Sequence, residues 1–173
     1  MNLIPVQTFC SKAFTLFDED WFLLTSGDFA SGRFNTMTIS WGSLGTLWNK
    51  PVAQVVVRPT RHTFSFLESF ADFSLCSFSR EYRKALQFLG TRSGRDGDKI
   101  ADVPITPIAA DIIQSPVFSE ANLIIECRKI YSDDLHAERF LDPSIAAQYP
   151  DRDFHRLYIG EVLQVKGEAA FRC

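Results

Sequence analysis

The chain has 173 residues, 46% hydrophobic and 23% charged, a size and balance that fit one globular domain with a core of its own. Its net charge of −3 argues against nucleic acid as a partner, and no apolar run approaches the roughly 20 residues of a membrane helix. Sixteen phenylalanines are many for this length and point to a thick core, an aromatic ligand site or a buried subunit interface.

In chain order, residues 11–20 read as a short acidic lead-in, and Trp21 to Ser26 as a strand closed by glycine turns. Phe34 to Trp41 alternates: Asn35, Met37, Ile39 and Trp41 fall on one face, Thr36, Thr38 and Ser40 on the other. Small hydroxyl side chains would let a flat ligand approach the backbone. An ordinary amphipathic strand would also match this pattern. The Trp-Gly-Ser-Leu-Gly that follows reads as a turn. Lys50-Pro51 reads as a break, and Val52 to Val57 as a strand buried on both faces. Phe64 to Phe70 is ambiguous, with Thr63 a candidate cap if it is a helix. Asp72 to Phe78 reads as a strand. Ser79 is expected to open a helix, with Tyr82, Leu86 and Leu89 on one face and Gly90 at its end. Residues 100–119 carry three prolines and read as irregular chain with short strands. Ala121 to Tyr131 is the longest strand, Ser144 to Gln148 a helical turn, and Leu157 to Val165 the last strand, with a bulge or bend expected at Gly160.

Strands dominate without the strand–helix alternation of a parallel sheet, so a closed antiparallel barrel with one or two inserted helices is expected. The four cysteines are far apart in sequence, and neither a disulfide nor a zinc site is expected; Cys76 and Cys127 read as buried thiols. The start lacks a signal peptide pattern, which makes a reducing cytoplasm the default.

Two stretches have the composition of an anion site. One is Arg58-Pro-Thr60-Arg61-His-Thr63, the other Ser93-Gly-Arg-Asp-Gly-Asp-Lys99. Guanidinium forks, hydroxyls and the free amides of glycine-rich turns suit a phosphate. From Arg58 to Lys99 there are eight basic and five acidic residues, a net of +3 in a chain that is otherwise −6. Solvated loop charges would give the same count. Dinucleotide and P-loop fingerprints are missing. His62, His136 and His155 have no metal-ligand spacing, so no metal site is expected. His155, just before the last strand, is the candidate proton donor or orienting group.

These stretches resemble a known family. Asn35-Thr-Met-Thr-Ile-Ser-Trp-Gly42, Gly45-Thr-Leu-Trp48, Val57-Arg-Pro-Thr-Arg-His-Thr63, Ser93 to Lys99, Glu120-Ala-Asn-Leu123 and His155-Arg-Leu-Tyr-Ile-Gly-Glu161 occur in the order seen in the flavin reductase-like, FMN-binding split barrels, most closely the flavoredoxin-like branch. The resemblance implies a mainly β fold, a six-stranded antiparallel Greek-key split barrel that dimerises and binds FMN near the dimer interface. It implies that Asn35, Thr36, Met37, Thr38, Ser40 and Trp41 line the flavin ring. Arg58, Thr60, Arg61, Thr63, Ser93 and Lys99 would serve the phosphate or ribityl chain, with Lys99 also a candidate for the flavin edge. His155 would face the flavin or nicotinamide side. The implied activity is reduction of flavin by NADH or NADPH, or electron transfer to a partner protein. Where two-component reductases carry Gly-Asp-His, this chain has Asp153-Phe154-His155. Three readings therefore stand: a nicotinamide-dependent flavin oxidoreductase, an electron carrier without an efficient nicotinamide site, and a ligand-binding barrel without redox work.

Overall fold

The structure is a computed structural model of residues 1–173. Its strands are β1 (Asn2–Ile4), β2 (Phe22–Asp28), β3 (Arg33–Ile39), β4 (Gly42–Leu47), β5 (Lys50–Val57), β6 (Asp72–Ser77), β7 (Pro107–Ile108), β8 (Val117–Phe118), β9 (Leu123–Asp134) and β10 (Arg156–Gly167). The helices are α1 (Thr15–Asp18), α2 (His62–Ser69) and α3 (Arg83–Thr91). The main sheet runs β3-β2-β6-β9-β10-β5-β4, with β1 added on β10 and β7-β8 a separate ribbon. Every neighbouring pair in it is antiparallel. No ladder joins β3 to β5 or β4, and that gap is the split of a mainly β split barrel.

Side-chain alternation explains the two cores. Phe22, Leu24, Leu75 and Ile125 point into the barrel with Val55, Phe73 and Tyr158. Their neighbours Leu23, Cys76 and Ile124 point outward, where Leu86 and Leu89 of α3 and Phe118 cover them. So β2, β6 and the first half of β9 are buried on both faces, while β5 alternates between buried and half-buried positions. The two-sided burial expected for Val52 to Val57 thus belongs to other strands.

Several sequence expectations are corrected. Gly42-Ser-Leu-Gly45 is not a turn but the start of β4, paired with β5 from Gly42↔Val55 to Leu47↔Lys50. The turn comes at Trp48-Asn49, both with positive φ (51° and 57°), as a two-residue primed hairpin requires. Pro51 lies within β5 rather than breaking it. The β10 ladder stops at Val52, so no hydrogen bond is forfeited on that side. Phe64 to Ser69 is helical, but the residue entering α2 is Arg61, and Thr63 is buried inside the helix. Ser79 does precede a 3-10 turn and α3, yet its hydroxyl donates to Glu81 instead of capping the backbone, and α3 runs one residue past Gly90.

Gly160 makes its expected bend. The β9–β10 register shifts beside it, and a Cβ there would lie 2.6 Å from Phe73 and 2.8 Å from Cys127. Cys76 and Cys127 are buried thiols as expected. The other pair overturns the expectation: Cys10 and Cys173 form a disulfide, with Cα atoms 5.8 Å apart. Their separation of 163 residues hid this, because it is the β1–β10 pairing and the Phe9–Arg172 bridge that bring the two segments together.

Candidate functional site

Two cavities adjoin at the split and share Met37 of β3. The first, of about 150 Å³, lies among β3, the β5–α2 corner and the loop after α3. Asn35, Met37, Thr60, Arg61, Ser93 and Lys99 of the expected set all line it. His62, Arg92, Gly94 and Arg95 join them, and no carboxylate does. Asn35 Nδ2 donates to Thr63 Oγ1 at 2.7 Å, so Thr63 orients Asn35 from inside α2. Gly94 passes so close that a Cβ would lie 2.1 Å from Asn35 Oδ1, which only glycine permits.

The cations here are held by the end of α3. Lys99 Nζ donates to the carbonyls of Leu89 (2.7 Å) and Arg92 (3.0 Å), and Arg61 donates to that of Gly90. A helix C-terminus leaves such carbonyls without partners and carries partial negative charge, so both side chains are fixed as well as charged. Arg95 donates to the Thr60 carbonyl. Crowding these groups together has a cost. Burial, then Arg61, pushes the Lys99 ammonium down to about 8. Burial and Arg58 lower Arg61, and burial, Arg95 and Lys99 lower His62. In each case burial is the larger cause and a neighbouring cation the smaller, and an anion bound here would offset the second.

The second cavity, of about 210 Å³, is lined by Met37 to Trp41, Val56, Arg58 and His155. Trp41 is 44% exposed and packs against the His155 ring at 5.2 Å. His155 Nδ1 lies 2.8 Å from the Tyr149 hydroxyl. Burial, then Arg58, lowers its pKa to about 4, so the ring is neutral near pH 7. Arg58 pairs with Asp153 (2.5 Å), donates to the Gln148 carbonyl (2.7 Å) and lies 4.9 Å over the Tyr149 ring. It therefore lines the second cavity with His155 and not the first, although its charge still reaches Arg61.

The hydroxyl wall of β3 divides. Thr36 lines neither cavity; it is buried, bonded to Thr25 Oγ1 and the Leu24 carbonyl. Thr38 donates to the Leu86 carbonyl of α3, and Ser40 stays at the cleft. Sequence reasoning missed Tyr149, which no motif marks, and quoted Asp153 only beside His155, without its pairing to Arg58. It passed over Arg95 and Gly94, although both lie in the quoted Ser93–Lys99 stretch.

The flavin reductase like domain matches residues 17–171, nearly the whole chain. The chain belongs to this family, the flavin reductase-like FMN-binding split barrels. Its fold is shared by solved family structures. Flavoredoxin of Desulfovibrio vulgaris (Miyazaki F) is 20% identical with a TM-score of 0.67, covering 98% of this chain and 78% of its own. An FMN-binding protein from Thermus thermophilus with bound p-hydroxybenzaldehyde is 19% identical with a TM-score of 0.67, at 98% and 83% coverage. A Streptomyces globisporus NADH:FAD oxidoreductase in complex with NAD and FAD fragments is 15% identical with a TM-score of 0.65, at 87% and 76%. No curated protein matches the chain. Within the flavin reductase-like fold, the two cavities lie at the open seam of the barrel, between β3 and the end of β5.

Proposed function

We propose that this chain binds FMN across the two cavities and acts as an oxidoreductase that reduces flavin with NADH or NADPH. The observation that carries this is the first cavity: four cations, two of them fixed on helix carbonyls, with no lining carboxylate. Such a site suits a phosphate dianion. Thr60, Arg61, Ser93 and Lys99 would hold the phosphate and ribityl chain. The backbone from Met37 to Trp41 would meet the ring. Thr36 and Thr63 would support this wall from behind, Thr63 by orienting Asn35. Gly94 fits the same reading, because a side chain there would displace the Asn35 amide that lines the cavity.

When bound, FMN supplies the electron and hydride chemistry. The chain's own part is to bind, orient and tune. His155 would offer a neutral donor at the cleft. Lys99, fixed by two carbonyls, would add positive charge near the phosphate rather than reach freely for the flavin edge.

A second reading keeps FMN but makes the chain an electron carrier to a partner protein. It is favoured by Arg58, whose guanidinium is already engaged by Asp153, Gln148 and Tyr149, so the second cavity offers no uncommitted cation to a nicotinamide nucleotide.

A homodimer belongs to the same proposal. Trp48 is 60% exposed at its hairpin tip against Tyr131, and Phe14 and Trp41 are exposed beside the cleft. Two further rings, Phe64 and Phe66, are taken up within the chain: Phe64 packs on Tyr158, and Phe66 lies between His62 and Phe70. No helix is long and apolar enough to cross a membrane. The cytoplasm remains the proposed compartment on the sequence start alone, and the Cys10–Cys173 disulfide counts against a reducing one.

Anaerobic mixing of the FMN-loaded protein with NADH or NADPH tests the reading. Rapid bleaching of the flavin supports the oxidoreductase. Bound flavin that neither nucleotide bleaches supports the carrier. A chain that takes up no FMN ends both.

A further inference from the structure

We propose that Tyr149 is a positioning residue that holds His155 as its Nε2–H tautomer, so that the ring offers the cleft a neutral hydrogen-bond donor. The argument is one of hydrogen accounting. Tyr149 is buried, with its ring packed by Phe140 (5.8 Å), Phe154 (5.0 Å) and the Arg58 guanidinium (4.9 Å). Its hydroxyl has one hydrogen-bond partner, His155 Nδ1 at 2.8 Å. A buried hydroxyl proton needs an acceptor. The aromatic neighbours offer none, and Arg58 carries only donors. Asp153, the carboxylate whose charge reaches both Tyr149 and His155, is engaged by Arg58. With the phenol donating, Nδ1 must be unprotonated, and the proton of the neutral imidazole lies on Nε2. The reverse arrangement, Nδ1–H donating to the phenol oxygen, would leave the hydroxyl hydrogen unpaired among aromatic faces.

The charges around the ring support the same state. Arg58 opposes an imidazolium, Asp153 favours one but is engaged by Arg58, and Tyr149 itself resists ionisation because burial raises its pKa. The segment carrying Tyr149 is fixed on the barrel by Arg58, through Asp153 and the Gln148 carbonyl. Tyr149 thus reaches the cleft only through His155, and it lines neither cavity. What the donor serves rests on the FMN reading; the tautomer does not.

The test uses the flavin-free protein labelled with 15N-histidine, with the His155 signals assigned through His155→Gln. Long-range proton–nitrogen correlation near neutral pH should show His155 in the Nε2–H form alone, with a titration midpoint near 4. Tyr149→Phe should give a mixture of tautomers and move the midpoint upward toward the ordinary histidine range. A wild-type ring in the Nδ1–H form overturns the proposal. So does a Tyr149→Phe protein with unchanged tautomer and midpoint. Should that variant not fold, the wild-type tautomer still decides. An FMN titration of the same wild-type sample reports separately on the function reading.

Discussion

At the residue scale, the cations of the first cavity have two duties, and the predictions separate them. Arg61→Ala removes one charged hydrogen bond to the proposed phosphate, so FMN affinity should fall roughly 10- to 100-fold in a fluorescence titration. A melting curve on the same variant reports the lost Gly90 contact. Lys99 carries a pH signature. Its pKa of about 8 would rise when a phosphate binds, so FMN affinity should decline as pH rises through 8, and Lys99→Met should flatten that profile. His155→Ala should slow NADH-dependent bleaching about 10-fold or more while FMN affinity changes little. Loss of FMN instead would make His155 a cofactor ligand. His155 also bears on stability. Its folded pKa lies below the unfolded one, so the unfolded chain binds more protons between about 4 and 6.5. Stability should therefore be fully present above pH 6.5 and decline as pH falls toward 4, a slope that His155→Gln should reduce in urea melts. Arg61, Ser93 and Lys99 could be picked out because their stretches have an anion site's composition, and Asn35 through the resemblance; all four line the first cavity. The partner of His155 was not, since a tyrosine six residues upstream carries no pattern.

At the scale of elements, alternation made β3 and β9 readable, and apolar runs bounded by turn residues did so for β2, β5, β6 and β10. β4 was hidden because Gly-Ser-Leu-Gly has a turn's composition, and it is the ladder with β5 that makes it a strand. Propensity yields there to hydrogen bonds made with another element. Two carboxylates do comparable work for the chain before β8. Glu126 accepts from the amides of Asp111, Ile112 and Ile113, and Asp72 from those of Gln114 and Ser115. Glu126 is buried, although alternation along β9 set it against the apolar face, because those amides satisfy it. Gly160 is the tightest point between β10 and the core. Gly160→Ala should cost about 1–3 kcal/mol of stability by overpacking Phe73 and Cys127, read from denaturant melts. An unchanged midpoint would mean that the bend relaxes freely.

At the scale of the whole molecule, the split places the basic cavity and the flat cleft side by side, and exposed rings flank the cleft and occupy the β4–β5 hairpin tip. Light scattering should find a dimer at micromolar concentration, and Trp48→Asp should shift it toward monomer; a wild-type monomer would remove the interface. The Cys10–Cys173 link could not be read from spacing, because it depends on where β1 and the last residues meet. The claim that matters most is that the two cavities form one FMN site. Titrating FMN with the purified chain and following flavin fluorescence tests it directly. A saturable change at one FMN per chain, weakened by Arg61→Ala, is the predicted result; a signal that never saturates, or one that Arg61→Ala leaves unchanged, would contradict it.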